Sequence, residues 1–250
     1  MKNHIRIKSP QEVDNLRKAG KILSFIIGQL QSSLTAGMTT KDIDALAQVL
    51  MQKHGVTAAF KGYRGFPASV CTSVNEGVVH GIPNHRILRK GDIVSIDVGI
   101  ILDDYYSDTA VTVAIDPVSP QVQKLLEVTQ AALYKGIQQA RPGQNLSDIS
   151  HAVQTYVELQ GFSVVRDFVG HGIGRQLHED PEIPNYGPPH QGPILKEGMV
   201  LAIEPMVNMG SSRTKVLGDD WTVVTDDGKP SAHFEHCVLI TSGAAEILTQ

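Results

Sequence analysis

The sequence predicts an α+β fold: an antiparallel sheet with two helix pairs, supplied by duplicated halves of about 1–115 and 116–250. Three observations predict it. Short motifs recur in one order at offsets of 106 to 110 residues. β-rich runs follow helical patterns without strict βαβ alternation. The chain of 250 residues is 41% hydrophobic and 19% charged, enough to form one core, and no low-complexity linker divides it. Residues 1–250 therefore read as a single catalytic-sized domain.

The elements follow in order. Ser9-Pro10-Gln11 recurs as Ser119-Pro120-Gln121, a helix N-cap with proline at the first helical position, and Glu12 completes a capping box in the first copy. Apolar residues at helical spacing follow each: Leu16, Leu23, Ile26 and Leu30, then Val122, Leu125, Ala132 and Leu133. The segment Gly37 to Ile43 parallels Gly143 to Ile149, and each opens a second helix stopped by a glycine, Gly55 or Gly161. Ile87-Leu88-Arg-Lys-Gly91 through Asp97 matches Ile194-Leu195-Lys-Glu-Gly198 through Glu204, with a carboxylate at the same place. Strands are predicted over Ile93–Ile101 and Tyr105–Ile115, joined across Asp103-Asp104. Three more are predicted over Met199–Val207, Trp221–Thr225 and Phe234–Thr241.

Several classes are excluded by composition. A net charge of −4 gives no nucleic-acid footprint. Two cysteines, Cys71 and Cys237, make no disulfide framework, which points to a reducing, cytoplasmic setting. Met1–His4 leads into charged residues and reads as no secretory leader. The longest apolar run, Ile22 to Ile27, is interrupted by Ser24 and is too short to span a bilayer.

Four carboxylates sit where strand interiors should be apolar: Asp97, Asp108, Glu204 and Glu235. A strand-end residue facing water is the ordinary explanation for any one of them. For four, with Asp97 and Glu204 related by the repeat, convergence on divalent cations explains them better, because a buried unpaired charge is costly. Equal spacing from the predicted bend lets Asp97 and Asp108 meet across a hairpin. His-Gly-Ile occurs once in each half, at His80 and His171, and His178 follows seven residues after the second. No phosphate-loop glycine pattern and no zinc-type cysteine spacing are present. One histidine with four carboxylates suits Mn, Fe, Co or Zn, and two bridging carboxylates imply metal-assisted hydrolysis with the bond left open.

The run Phe168-Val-Gly-His171-Gly-Ile-Gly-Arg-Gln-Leu-His178-Glu-Asp-Pro-Glu-Ile-Pro-Asn-Tyr186 resembles the signature of type I methionine aminopeptidases in their short bacterial form. The ordered set Asp97, Asp108, His171, Glu204 and Glu235 is similar to that family's five metal ligands, and the likeness covers nearly the whole chain. The resemblance implies the pseudo-twofold pita-bread fold and two divalent ions (Co, Fe, Mn or Zn). One would be held by Asp108, His171, Glu204 and Glu235, the other by Asp97, Asp108 and Glu235. It implies attack of a metal-bridging water or hydroxide on the first peptide bond, with Glu204 as proton shuttle. His178 would stabilise the oxyanion and His80 would contact the scissile amide nitrogen. The methionine pocket would be lined by Phe60, Tyr63, Phe66, Cys71, Leu177 and Trp221. Leu177 stands where the family usually has Phe, Phe66 where many members have Tyr, and Phe60 where bacterial members have a smaller residue. The implied substrates are nascent polypeptide N-termini with a small second residue, met near the ribosome by a monomer with no membrane or direct nucleic-acid contact.

Two rival readings remain. A proline-specific pita-bread peptidase would carry an extra N-terminal domain, for which Ser9-Pro10 opens the first helix too early. A non-catalytic pita-bread binding protein would have lost ligands, whereas all five are present.

Overall fold

In the computed structural model, which describes residues 5–250, Ser9 caps the first helix, α1 (Pro10–Ser33). Its hydroxyl accepts from the Glu12 amide (3.3 Å), and the Glu12 carboxylate accepts from the Ser9 amide (3.0 Å). Thr39 and Asp42 repeat the device at α2 (Thr40–Lys53). In the second half Ser119 caps α3 (Pro120–Gln139), and the Asp148 carboxylate accepts the Asn145 amide at the start of α4 (Leu146–Leu159). The helix pairs predicted from the repeat are thus both present, of matching order. Met1–His4, where the absence of a leader was read, lie outside the described residues.

The strands of the first half are β1 (Thr57–Ala58), β2 (Cys71–Val74), β3 (Gly77–Val79), β4 (Ile93–Leu102) and β5 (Tyr105–Ala114). Those of the second are β6 (Ser163–Val164), β7 (Gly170–Gly172), β8 (Glu179–Ile183), β9 (Val200–Ile203) and β10 (Met206–Asn208). They continue with β11 (Thr214–Val216), β12 (Val223–Thr225), β13 (Ser231–His233), β14 (Glu235–Leu239) and β15 (Glu246–Ile247). A nine-stranded antiparallel sheet runs β1-β4-β5-β14-β9-β7-β8, with β2 also on β4 and β15 on β14. Smaller sheets run β13-β10-β6 and β11-β12-β3.

The hairpin β4–β5 turns across Asp103 and Asp104, both at positive φ (49° and 65°), as a two-residue turn between right-twisted strands requires. One prediction needs correction here: Met199–Val207 is not a single strand. It splits into β9 in the large sheet and β10 in another, because Pro205 follows Glu204 and has no N–H to donate to a ladder. Trp221 and Thr222 likewise precede their strand, β12, in a turn around Asp219.

Alternation along the central strands decides which side chains face the helices. Val94, Ile96, Val98 and Ile100 of β4 join Leu23, Ile26 and Ile43 of the first helix pair in one buried cluster. Leu201 and Ile203 of β9 with Val238 of β14 join Leu125, Leu133, Ile149 and Val153 of the second pair in another. Each fully buried side chain of this size contributes about 1.5–3 kcal/mol. With those faces committed to the helices, the alternate residues point to the opposite side of the sheet. They include Asp97, Asp108, Glu204 and Glu235. Among the described residues no helix is long and apolar enough to cross a membrane.

Candidate metal centre and substrate cavity

Three adjacent strands bring the acids together. Ala110 of β5 pairs with Asp97 on one side and Glu235 on the other, so these two carboxylates flank it. Asp108 lies two residues along β5, opposite Gly99, which makes it a diagonal rather than a direct neighbour of Asp97. Its backbone is fixed by Cys237, whose thiol donates to the Asp108 carbonyl (3.1 Å) and accepts its amide (3.3 Å). The Glu235 carbonyl accepts from the Thr109 hydroxyl at 2.6 Å. Glu204 follows β9, and its carbonyl accepts from the Asn185 side-chain amide (3.0 Å).

His171 sits in β7, paired with Ala202 of β9. Its Nδ1 lies 2.9 Å from the Gly172 carbonyl, which can only accept. A proton is therefore on Nδ1, and in the neutral ring this leaves the Nε2 lone pair free. Gly172 is required by the close approach of the next strand: a Cβ there would collide with the Asp180 carbonyl oxygen. Ligand atoms of Asp108, His171 and Glu235 lie within 4.8 Å of one another, and His171 Nε2 is 3.7 Å from Glu204 Oε1.

Among the described residues no lysine or arginine lies within ion-pair distance of these four acids. Burial raises the carboxyls of Asp108 and Glu235 well above the usual range, and neighbouring acids raise them further. Burial likewise raises Asp97 to about 6. One oxygen each of Asp97, Asp108 and Glu235 is buried without a hydrogen-bond partner. Orphaned carboxylate oxygens beside a free imidazole lone pair are the donor set of a divalent cation, and the residues fit one.

All thirteen residues singled out from the sequence line one cavity of about 170 Å³. Asp97, Asp108, His171, Glu204 and Glu235 form one part of its wall; Phe60, Tyr63, Phe66, Cys71, Leu177 and Trp221 form another. Phe66 and Trp221 meet edge to face at 5.1 Å. His80, at φ 58°, packs edge-on against Phe168 and Trp221, and burial lowers its pKa. His178 lies with its ring 4.3 Å from that of His171, and its Nδ1 is 2.8 Å from the Tyr63 hydroxyl. Burial, then the neighbouring His171, lower His178 to about 4, so it is neutral at pH 7.

Three features here were not singled out from the sequence. Arg64 also lines the cavity. His233 is almost fully buried with its Nε2 3.3 Å from Glu204 Oε2, out of hydrogen-bond alignment. Its place two residues before Glu235 was the available signal. Lys8 and Glu179 form a buried ion pair at 2.5 Å, side chains 4% and 7% exposed. Glu179 Oε1 also accepts the amides of Arg175 and Gln176, which ties down the turn that presents Leu177 and His178.

Comparison with known proteins agrees with this geometry. Residues 14–242 match the pattern of metallopeptidase family M24. The chain is 54% identical over 243 residues to methionine aminopeptidase 1 of Bacillus subtilis, covering 97% of this chain and 98% of that one. It superposes on the crystal structure of a methionine aminopeptidase from Thermotoga maritima with a TM-score of 0.97 and 47% identity, covering 99% and 100% of the two chains. A prolidase from Pyrococcus furiosus shares the fold alone (TM-score 0.78, 24% identity), and this chain covers 65% of its length. The pita-bread α+β architecture, the metal-ligand type of the cavity and the match over nearly the whole length lead to one assignment: the chain belongs to metallopeptidase family M24.

Proposed function

We propose that this protein is a metal-dependent methionine aminopeptidase, a hydrolase that removes the N-terminal methionine when the second residue is small. The observation that carries the reading is a single cavity in which a polar wall of four acids and His171 adjoins an apolar slot. A flexible, polarizable thioether fills such an irregular apolar slot well. Asp97, Asp108, His171, Glu204 and Glu235 would hold the metal, as two divalent ions (Co, Fe, Mn or Zn), with Asp108 and Glu235 shared. When bound, these ions lower the pKa of water and polarise the carbonyl of the first peptide bond.

The protein's own side chains do the rest. With the Tyr63 hydroxyl donating to His178 Nδ1, the tautomer this reading requires, the proton of the neutral ring is on Nε2. That N–H is a fixed donor for negative charge developing on the carbonyl oxygen. Glu204 takes a proton on a carboxylate oxygen and returns it to the leaving amine. His80, held by Phe168 and Trp221, contacts the scissile amide nitrogen. The glycine-rich strand β7 and His80 crowd the second position, which excludes a large side chain there. The whole chain, halves 1–115 and 116–250, works as one catalytic domain. Its substrates are nascent chains near the ribosome, met in the cytoplasm by a monomer.

The test is kcat/KM of the metal-loaded protein for Met-Ala-Ser, Leu-Ala-Ser and Met-Lys-Ser. Met-Ala-Ser should be cut best, and Leu should be rejected only partially, because one such mismatch in an apolar pocket is worth ~1–3 kcal/mol. Equal cleavage of Met-Lys-Ser would overturn the steric account, and no cleavage of Met-Ala-Ser with any of the four metals would overturn the function.

A further inference from the structure

Among the described residues Arg64 is the one lysine or arginine on the wall of a cavity otherwise lined by acids, histidines, Cys71 and aromatic or apolar groups. Its backbone is unusual: φ 49°, ψ 22°, the left-handed region, in a turn that also holds Gly62 (φ 84°) and Gly65 (φ 92°) at positive φ. A long side chain in that conformation is strained, whereas glycine would adopt it freely. The conformation places the side chain in solvent at the cavity mouth, its guanidinium carbon 5.4 Å from the centre of the Tyr63 ring. Tyr63 in turn is 2.8 Å from His178 Nδ1, so one aromatic ring separates the guanidinium from the histidine of the cavity wall.

Arg64 has no carboxylate within ion-pair distance among the described residues. Arg175, also near the turn that carries His178, is committed to Tyr105 and Glu12. The Asp219 carboxylate, next to Trp221, is used up within its own turn by Trp221 and Thr222. Arg64 is therefore left as an open, fork-shaped donor at the solvent-exposed edge of the cavity.

We propose that Arg64 is a specificity-determining residue that favours substrates with an acidic side chain at the third or fourth position, beyond the small second residue. The proposal rests on the aminopeptidase reading above and deepens it. A polypeptide held by its first residue in the apolar slot runs outward at roughly 3.3 Å per residue, so its third and fourth side chains emerge at the mouth. There an exposed guanidinium pairs with a carboxylate and repels an ammonium, an effect that screening by salt weakens.

The experiment compares kcat/KM for Met-Ala-Glu-Ser, Met-Ala-Gln-Ser and Met-Ala-Lys-Ser, and for the same charges moved to the fourth position. It uses the metal-loaded wild type, Arg64→Lys, Arg64→Asn and Arg64→Glu. Asn tolerates the left-handed backbone, and the Glu-to-Lys ratio measured within one preparation cancels any general loss of activity. At low ionic strength the wild type should favour Glu over Lys by about threefold to tenfold, mostly through KM, with the Gln peptide between them. Arg64→Lys should keep the bias, Arg64→Asn should abolish it, Arg64→Glu should invert it, and high salt should flatten all of them. An unchanged ratio in Arg64→Asn, or no bias in the wild type while Met-Ala-Gln-Ser is cleaved, overturns the proposal and leaves the aminopeptidase reading intact. Failure to cleave any Met-Ala peptide would instead overturn both.

Discussion

The two halves of the molecule begin alike and end differently, and the site lies in the difference. In the first half β4 runs unbroken for ten residues through Asp97, turns, and returns as β5 through Asp108. In the second half the related strand stops at Ile203, just before Glu204, and Pro205 sends the chain into another sheet. Asp97 is therefore a short side chain locked in the middle of a ladder between Cys71 and Ala110. Glu204 is a longer one at a strand end, near the rings of both His171 and His233. The histidines part ways in the opposite sense. His171 is held in a strand with a defined tautomer, whereas His80 stands outside any strand at positive φ. Duplication supplies a scaffold that points carboxylates to one face. The local breaks leave each half with one group locked in a strand, Asp97 or His171, and one at a break, His80 or Glu204; on the proposed function the locked groups would be a ligand platform and the others would handle protons.

The largest expected effect tests the platform. Asp108→Asn and Asp97→Asn should each lower kcat/KM by about 10³-fold or more in the metal-loaded protein, because a neutral amide removes charge that the cations need. Near-normal turnover in Asp108→Asn would sink the shared-ligand arrangement. Without metal the sign reverses. Folding raises Asp97 to about 6, so the folded chain keeps a proton that the unfolded chain has already released. That contribution is fully present below the ordinary aspartate range and is lost as pH rises through about 6. Metal-free Asp97→Asn should consequently melt above metal-free wild type at about pH 8, with the gap narrowing toward pH 5. For the same reason divalent binding to the wild type, followed calorimetrically, should weaken as pH falls through about 6 and should be accompanied by proton release, since Asp108 and Glu235 are also raised.

How far the sequence could anticipate this depends on the range of the interaction. The caps at Ser9, Thr39 and Ser119 are local hydrogen bonds between residues three apart, and they stand where the repeat places them. The alternation Val94-Ser-Ile-Asp97 is equally local, and it aims the aspartate away from the helices. Register is not local. Equal spacing about a bend suggested that Asp97 faces Asp108, but the turn on Asp103-Asp104 puts Gly99 there and leaves the two acids diagonal. The predicted continuous strand Met199–Val207 gave too little weight to a missing N–H at Pro205. Contacts across more than a hundred residues, such as Tyr63 with His178 or Lys8 with Glu179, leave no local mark at all.

A smaller effect separates the three histidines. His171→Ala should lose bound metal and activity together, since it removes a lone pair that nothing else supplies. His178→Ala should keep its metal, measured by elemental analysis, and lower kcat by about 10²–10³, the usual value of one lost donor to an oxyanion. Metal content falling in step with activity in His178→Ala would make it a ligand and erase the distinction between platform and proton-handling groups. Tyr63→Phe should show a weaker form of the same phenotype, because it frees the ring of His178 without removing it.

The smallest effect on the reaction concerns what braces the two histidine segments. In the first half the chain after His80 is held by neutral hydrogen bonds: the Gly81 carbonyl accepts the Thr72 amide (2.8 Å), and the Gly81 amide donates to Ser73 Oγ (3.2 Å). In the second half the turn before His178 is held by charge, through Glu179 and the buried Lys8. Removing one partner of a buried pair leaves the other desolvated and unpaired, at a cost of roughly 3–5 kcal/mol, whereas losing one neutral hydrogen bond costs about 1 kcal/mol. Lys8→Met should therefore lower the melting temperature far more than Ser73→Ala. Its effect on catalysis should be modest and selective: kcat about tenfold lower, through a loosened His178, with metal content unchanged. The double variant Lys8→Met with Glu179→Gln should recover most of the stability, because no charge is left stranded. It should not recover kcat, because the neutral amide accepts the Arg175 and Gln176 amides more weakly than the carboxylate does. If the double variant regains both together, the ion pair is a structural brace with no part in placing His178, and the second half is held no differently from the first.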